Sequence, residues 1–335
     1  MPRRFVTRQT RRMVNDSSAA LSRVVAKTGV PDIVDVLADR LSGSDLSTLM
    51  LEVSRRRAAA VSPASLLRQY RRDRFVRPAG ISPGDLDRCR QLLCSALPRQ
   101  VELVELAPLA PLGTHAAVAT VDQHKVVTTM RGTEVAADPT NGLALEAAVR
   151  RGALTEEQRR AADWVRLGAF QRVVRAQAFD GPALFAHFLL FGLVTAGRST
   201  GGRRFEAAAL TEHCRFHVDA LQAAGADAVE VRLTDFTGQS QQISDAVRAT
   251  LADTPATSIV DDPDRRSGRG YYDGFCFKVF AHYKGERFEV SDGGAVDWTQ
   301  RLLQNRKERL VISGAGIERL VSLGLGPDAR SAGDA

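Results

Sequence analysis

Beyond Val101 the chain changes texture, and that change limits the folds open to it. Residues 101–106 (VELVEL) alternate apolar and acidic side chains, the pattern of a half-buried strand. Strand patterns return at 125–130 (KVVTTM), 165–175, 228–233 (AVEVRL), 271–283 (YYDGFCFKVFAHY) and 310–312, and helical spacing at 211–224 and from about Ile317. Thr155, Glu156, Glu157 and Gln158 form a capping box that opens a further helix. Strands mixed with helices, without a strict βαβ rhythm, predict an α+β fold with an antiparallel sheet flanked by helices. At 44% apolar and 25% charged residues the chain can build a large core. No apolar run approaches the roughly 18 residues of a membrane span. The opening MPRRFVTRQTRR lacks the apolar stretch of a secretory signal, and Cys89, Cys94, Cys214 and Cys276 offer no disulfide framework. A cytoplasmic protein without membrane contact is expected.

Charge is unevenly spread. Residues 1–77 hold 16 basic and 7 acidic side chains, whereas the rest hold 30 and 32. Of the 46 basic residues 41 are arginine. Short helices are expected at 31–41, at 45–60 (ending in Arg55, Arg56 and Arg57), from Ser62-Pro63 with Arg68, Arg71, Arg72 and Arg74, and from Ser82-Pro83 to about Ala96. Proline and glycine at 80–84 suggest a boundary. The expected division is a basic helical region at 1–82, a core at 83–325 and a disordered tail at 326–335. The arginine clusters read either as a phosphate-contacting surface or as a solvated helical bundle.

There is no Walker A loop, no strand-linked GxGxxG, no GxSxG elbow and no CxxC pair. His213 and His217 have the spacing of a metal pair, but no third ligand is evident, and a helix face explains them; no metal site is expected. The stretch VISGAGIERL (311–320) is more specific. A strand ends in small residues that admit a ligand to the backbone, and Arg319 follows where it can stack on a ring and pair with phosphate. The alternative is a strand–turn–helix corner with a solvated arginine.

Taken in order, these segments resemble the class II aminoacyl-tRNA synthetases, in particular the histidyl-tRNA synthetase branch. SGAGIERL is similar to motif 3, with Gly314, Gly316 and Arg319 on ATP. RVVRAQAFDGPALFAHFLLFGLVTAG (172–197) resembles motif 2, which implies ATP contacts for Arg175, Gln177, His187 and Phe188. GRGYYDGFCFKVF (268–280) is similar to the branch's YYTGxxFE strand and DGGAVDWTQRLL (292–303) to its GGRYDxLL turn. ADPTNGLALE (137–146) resembles the RPEGT segment, and 88–113 can supply motif 1 of the dimer interface. The resemblance implies substrate contacts for Asp138, Thr140, Leu190, Val194, Tyr271, Tyr272, Gly274, Gly293 and Gly294. Arg175, Arg319 and Arg269 are then the catalytic arginines. Arg131 is a further candidate anion partner, with Glu134 and Asp138 as candidates for an amino group; a local salt-bridge network explains these three equally.

Departures from the pattern are specific. Gln177 stands for the family's glutamate, Ala183, Leu184 and Phe185 for its basic loop, Leu190 and Val194 for its histidine-gripping polar pair, and Ser267 for its catalytic arginine, flanked by Arg266 and Arg269. The anticodon-binding domain is not expected. The resemblance implies a homodimer that uses ATP and Mg²⁺ to form an aminoacyl-adenylate, with a tRNA, a carrier protein or a metabolite as acceptor. The alternative is a non-catalytic paralogue similar to the regulatory subunit of ATP phosphoribosyltransferase.

Overall fold

The computed structural model describes residues 19–160, 164–176 and 186–324. They fall into two compact units, Met1–Leu66 with Met130–Gly132, and Leu67–Thr129 with Thr133–Ala335.

In the first unit, α1 (residues 19–28) and α2 (Ile33–Asp35) are followed by a π-turn (Val36–Arg40) and by α3 (Gly43–Ala59). Ser42 caps α3, its hydroxyl accepting from the Asp45 amide at 3.1 Å. The next helix, α4 (Pro63–Arg72), runs on into the second unit. None of α2, α3 and α4 buries a residue. Glu52 pairs with Arg55 and Arg56, each at 2.7 Å, one helical turn away.

The second unit is built on one eight-stranded sheet. Its strands are β1 (Glu102–Leu103), β4 (Val165–Val174), β5 (His187–Arg198), β6 (Ala228–Asp235), β7 (Thr257–Asp261), β8 (Phe275–Tyr283), β9 (Glu286–Val296) and β10 (Glu308–Gly316). The order is β1-β4-β5-β10-β9-β8-β6-β7. The pairs β1–β4 and β6–β7 are parallel and the rest antiparallel. A separate two-stranded antiparallel sheet pairs β2 (Leu109–Pro111) with β3 (Thr133–Val135).

Both sheet faces are covered, which is why β5 reads as an almost unbroken apolar run. Leu189, Phe191 and Leu193 join a cluster with Phe205, Leu210 and Phe216 of α9 (Arg204–Ala223). Val194 and Ala196 face the other way, toward Leu143, Ala144 and Ala147 of α7 (Pro139–Ala153). Each fully buried side chain of this size contributes about 1.5–3 kcal/mol. Gly192 lies between them, where an added Cβ would meet Pro139 Cγ at 2.9 Å, so the start of α7 can rest on the sheet. Deeper in, the Arg151 guanidinium donates to Glu308 at 2.8 and 3.1 Å with both residues buried, tying α7 to the start of β10.

The Thr155–Gln158 capping box forms reciprocally: the Thr155 amide donates to Gln158 Oε1 at 2.9 Å and the Gln158 amide to Thr155 Oγ1 at 3.2 Å, opening α8 (Glu156–Arg160). Three strand expectations are corrected. Residues 125–130 do not form a strand; a 3₁₀ turn (Gln123–Lys125) is followed by a single bridge from Thr128 to Glu134. Residues 271–274 belong to a turn, because the amides of Tyr271 and Tyr272 both donate to Gly268 O, and β8 begins at Phe275. Within VELVEL only Glu102 and Leu103 pair, alongside β4. The helix placed at 211–224 starts earlier, at Arg204, and α10 (Gln241–Leu251), β7 and β9 were not anticipated. The expected tail lies outside the described residues.

One irregularity matters for the site. Ser291 of β9 stands opposite Val279, but Glu289 stands opposite Phe280, so Val290 is an extra residue. This β-bulge puts Glu289 and Asp292 on the same sheet face, with Lys278 Nζ 2.6 Å from Glu289.

Candidate functional site

A cavity of about 440 Å³ opens on the α7 face of the sheet, where α7 begins. β5 supplies Phe188 and Leu190, β10 supplies Ile312 and Gly314, and Arg319 comes from α12 (Ile317–Ser322). Asp138 caps α7, its Oδ1 accepting from the Thr140 amide at 2.9 Å and from the Thr140 hydroxyl at 2.7 Å.

Arg175 and Arg319 line this one cavity. The Arg175 Nε donates to Ala137 O at 3.1 Å, its Nη2 lies 3.5 Å from Asp138, and its guanidinium sits over the Phe188 ring at 5.2 Å. Arg319 Nη1 donates to Glu289 O at 2.6 Å. Its neighbour Glu318 is buried, accepts the Leu189 amide at 2.6 Å, and forms an ion pair with Arg172 at 3.1 Å outside hydrogen-bond geometry.

The opposite wall is aromatic. Tyr271 packs edge-on against Tyr272 and Trp298, at 4.9 and 5.5 Å between ring centres. The Tyr272 hydroxyl donates to Asp292 Oδ1. Arg265 is buried and spends its donors on Ser267 O (2.9 Å), Phe277 O (3.2 Å) and Asp292 Oδ2 (2.7 Å). Burial pushes both tyrosine hydroxyls well above their usual range, reinforced by Asp292 and, for Tyr271, first by Asp138. Burial also raises the Asp292 carboxyl, although Arg265 and Tyr272 oppose the rise. Gly294 is required here, because a Cβ would overlap Phe275 O at 2.7 Å and the Tyr272 ring.

Of the residues singled out by sequence, Asp138, Thr140, Arg175, Phe188, Leu190, Tyr271, Tyr272, Gly314, Gly316 and Arg319 line the cavity. Several do not. Arg269 is exposed, with its guanidinium over the Phe236 ring at 4.9 Å; Arg265, which sequence reasoning passed over, occupies the wall instead. Val194 lies four residues beyond Leu190 on the same face, fully buried in the cluster under α7. Glu134 is buried away from the cavity and accepts the amides of His115 (2.8 Å) and Gly113 (3.0 Å) and the Gln123 side chain (2.9 Å). Burial alone would raise its carboxyl, but those donors hold it low. Arg131 is exposed and belongs to the first unit. His187 donates from Nε2 to Arg77 O at 2.7 Å and accepts Arg172 at Nδ1 at 3.1 Å. Gly274, with φ +86°, sits beside the Arg203 guanidinium, and Gly293 is a packing glycine whose Cβ would overlap Ser313. Gln177, Ala183, Leu184 and Phe185 lie outside the described residues. His213 and His217 are buried in the α9 face: His213 bonds Thr195 (3.0 Å) and Ser313 (2.9 Å), and His217 bonds the same Ser313 hydroxyl (2.9 Å).

Glu289, Asp292 and Ile312 also escaped the sequence reading. The signal for Asp292 was present in DGGAV, read as a turn; that for Glu289 was hidden by the bulge.

No protein-family model matches the sequence, and no curated protein is detectably similar to it. The fold is nevertheless that of the class II aminoacyl-tRNA synthetase catalytic core. Among solved structures, apo histidyl-tRNA synthetase from S. aureus matches with a TM-score of 0.54 at 14% identity, over 72% of this chain and 64% of that one. A Bacillus halodurans protein described as an ATP phosphoribosyltransferase regulatory subunit/histidyl-tRNA synthetase matches with a TM-score of 0.55 at 15% identity, over 74% and 83%. The match thus spans less than two thirds of the staphylococcal synthetase.

Proposed function

We propose that this protein binds ATP and an amino acid in the cavity and joins them as an aminoacyl-adenylate. The single observation that carries this reading is that Arg175 and Arg319, far apart in the sequence, line one cavity on a largely antiparallel sheet. The cavity volume of about 440 Å³ is in the range of small-molecule sites. The flat Phe188 ring beside Arg175 and the half-buried Gly314, which brings no side chain into the cavity, suit a nucleotide.

In the reaction, a carboxylate oxygen of the amino acid attacks the α-phosphorus, the bond to the β-phosphate oxygen breaks, and pyrophosphate leaves. Charge gathers on the α-phosphate oxygens in the transition state. In this proposal Arg175 offsets it and Arg319 holds the leaving end. Among the described residues no cluster of three acidic, histidine or cysteine side chains can hold a metal. Glu289, Glu318 and Asp292 are already engaged by Lys278, Arg172 and Arg265, so no step is assigned to Mg²⁺.

A second reading has its own support. Ser267 stands where the resembled family has an arginine, and the buried Arg265 is held by Ser267 O, Phe277 O and the Asp292 carboxylate. Such a site can bind ligands without turning over, as a regulatory subunit would. In either reading the cavity belongs to the second unit alone, and a tRNA, carrier protein or metabolite as acceptor, like a homodimer, remains part of the proposal.

Amino-acid-dependent exchange of pyrophosphate into ATP tests the first reading. Exchange is expected in the wild type, with a loss of about 10²–10³-fold in Arg175→Ala. ATP binding by calorimetry with no exchange for any amino acid would favour the second.

A further inference from the structure

The polar groups around the cavity are nearly all committed to one another, and that restricts the second ligand. The Tyr272 hydroxyl and Arg265 both end on Asp292. Thr140 is bonded to Asp138, and Asp138 is paired with Arg175. Glu289 is neutralised by Lys278 and Glu318 by Arg172. Among the described residues Arg319 is the one lining charge without an ion-pair partner. What these groups leave is apolar: Leu190 and Ile312 on the strands, and the rings of Tyr271 and Tyr272 packed on the cluster that contains Ile312.

We propose that the second ligand is an α-amino acid with an apolar side chain, seated on Leu190 and Ile312 against the tyrosine rings, and that histidine is excluded. This rests on the amino-acid-activation reading above. The α-ammonium uses lone pairs still open on Asp138 or Asp292, since an ionised carboxylate offers about four acceptor positions. With the α-ammonium on those lone pairs and Arg319 on the nucleotide, an imidazole, ammonium or carboxylate side chain would have to break an internal pair or lie buried without a partner, which weakens binding by roughly 10- to 100-fold. An apolar side chain breaks nothing and gains about fourfold in affinity per buried methylene.

Thermal unfolding of the full chain tests this, first with a non-hydrolysable ATP analogue and then with the analogue plus leucine, isoleucine, methionine, phenylalanine, histidine, lysine or glutamate. At a hundred times its Kd a ligand raises the midpoint by roughly 5–10 °C. The expected result is such a shift for at least one apolar amino acid and none for histidine, lysine or glutamate. In Leu190→Gln the ratio of apolar to histidine affinity, measured by calorimetry, should fall at least tenfold. A shift with histidine or lysine alone, or with the analogue and no amino acid, overturns the proposal while leaving nucleotide binding intact. Absence of any shift with the analogue removes the underlying reading and the proposal together.

Discussion

At His115 one buried imidazole fixes two other groups. Its Nε2 accepts the Ala137 amide at 3.1 Å, so its Nδ1 carries the proton and donates to Asn141 Oδ1 at 2.6 Å. Ala137 also offers its carbonyl to Arg175. His115 therefore holds the stretch against which Arg175 is set, although it does not line the cavity. Replacing it with alanine leaves a buried amide and a buried carboxamide oxygen unpaired, a cost of about 1–3 kcal/mol. A lower unfolding midpoint is expected, together with weaker ATP binding that the distant core variant Val247→Ala, buried in the α9 face, does not share. Equal ATP affinity in wild type and His115→Ala would break the link. Sequence gave little warning of this role, since nothing local to THAAVA ties it to residue 137. The arginine at 175 was legible because it closes one strand pattern shortly before the next in the sequence. Arg265 was not, because its wall position depends on the turn at 268–274, where hydrogen bonds to Gly268 O outweigh the strand pattern of the two tyrosines.

At the scale of elements, α7 is pinned at both ends. Its first turn rests on Gly192, and its last turn is locked by the Arg151–Glu308 pair, whose side chains are 0% and 1% exposed. Removing one partner strands the other's charge in the interior. Arg151→Ala is expected to cost about 3–5 kcal/mol in urea unfolding, and the double variant Arg151→Met/Glu308→Leu much less than twice that. Additive losses in the two single variants would argue that the pair is uncoupled. Capping boxes, proline starts and the apolar run of β5 were readable because they are local signals. The bulge at Val290 and the pairing of β6 with β7 were not, because they depend on partners remote in the chain.

The whole molecule carries an acid sensitivity behind the cavity. Burial holds His217 down to about 3 and His213 well below its usual value, the latter helped by His217 and Arg166. Above pH 6.5 both rings are neutral whether the chain is folded or unfolded. Below it the unfolded chain takes up protons that the folded one refuses, so stability falls toward pH 3 by up to about 1.4 kcal/mol per pH unit for each histidine. Urea midpoints measured from pH 7.5 to 4.5 should decline, and His213→Gln/His217→Gln should flatten the decline; an unchanged slope would show that other groups govern it. The helices at the other end of the chain have no such stake in folding. With no residue of α2, α3 or α4 buried, their sequence is free to drift without cost to the sheet. In a mutational scan scored for abundance, Arg57, Arg68, Arg71 and Arg72 should tolerate exchange. Intolerance of those same exchanges in a scan scored for activity would then report a contact with another molecule.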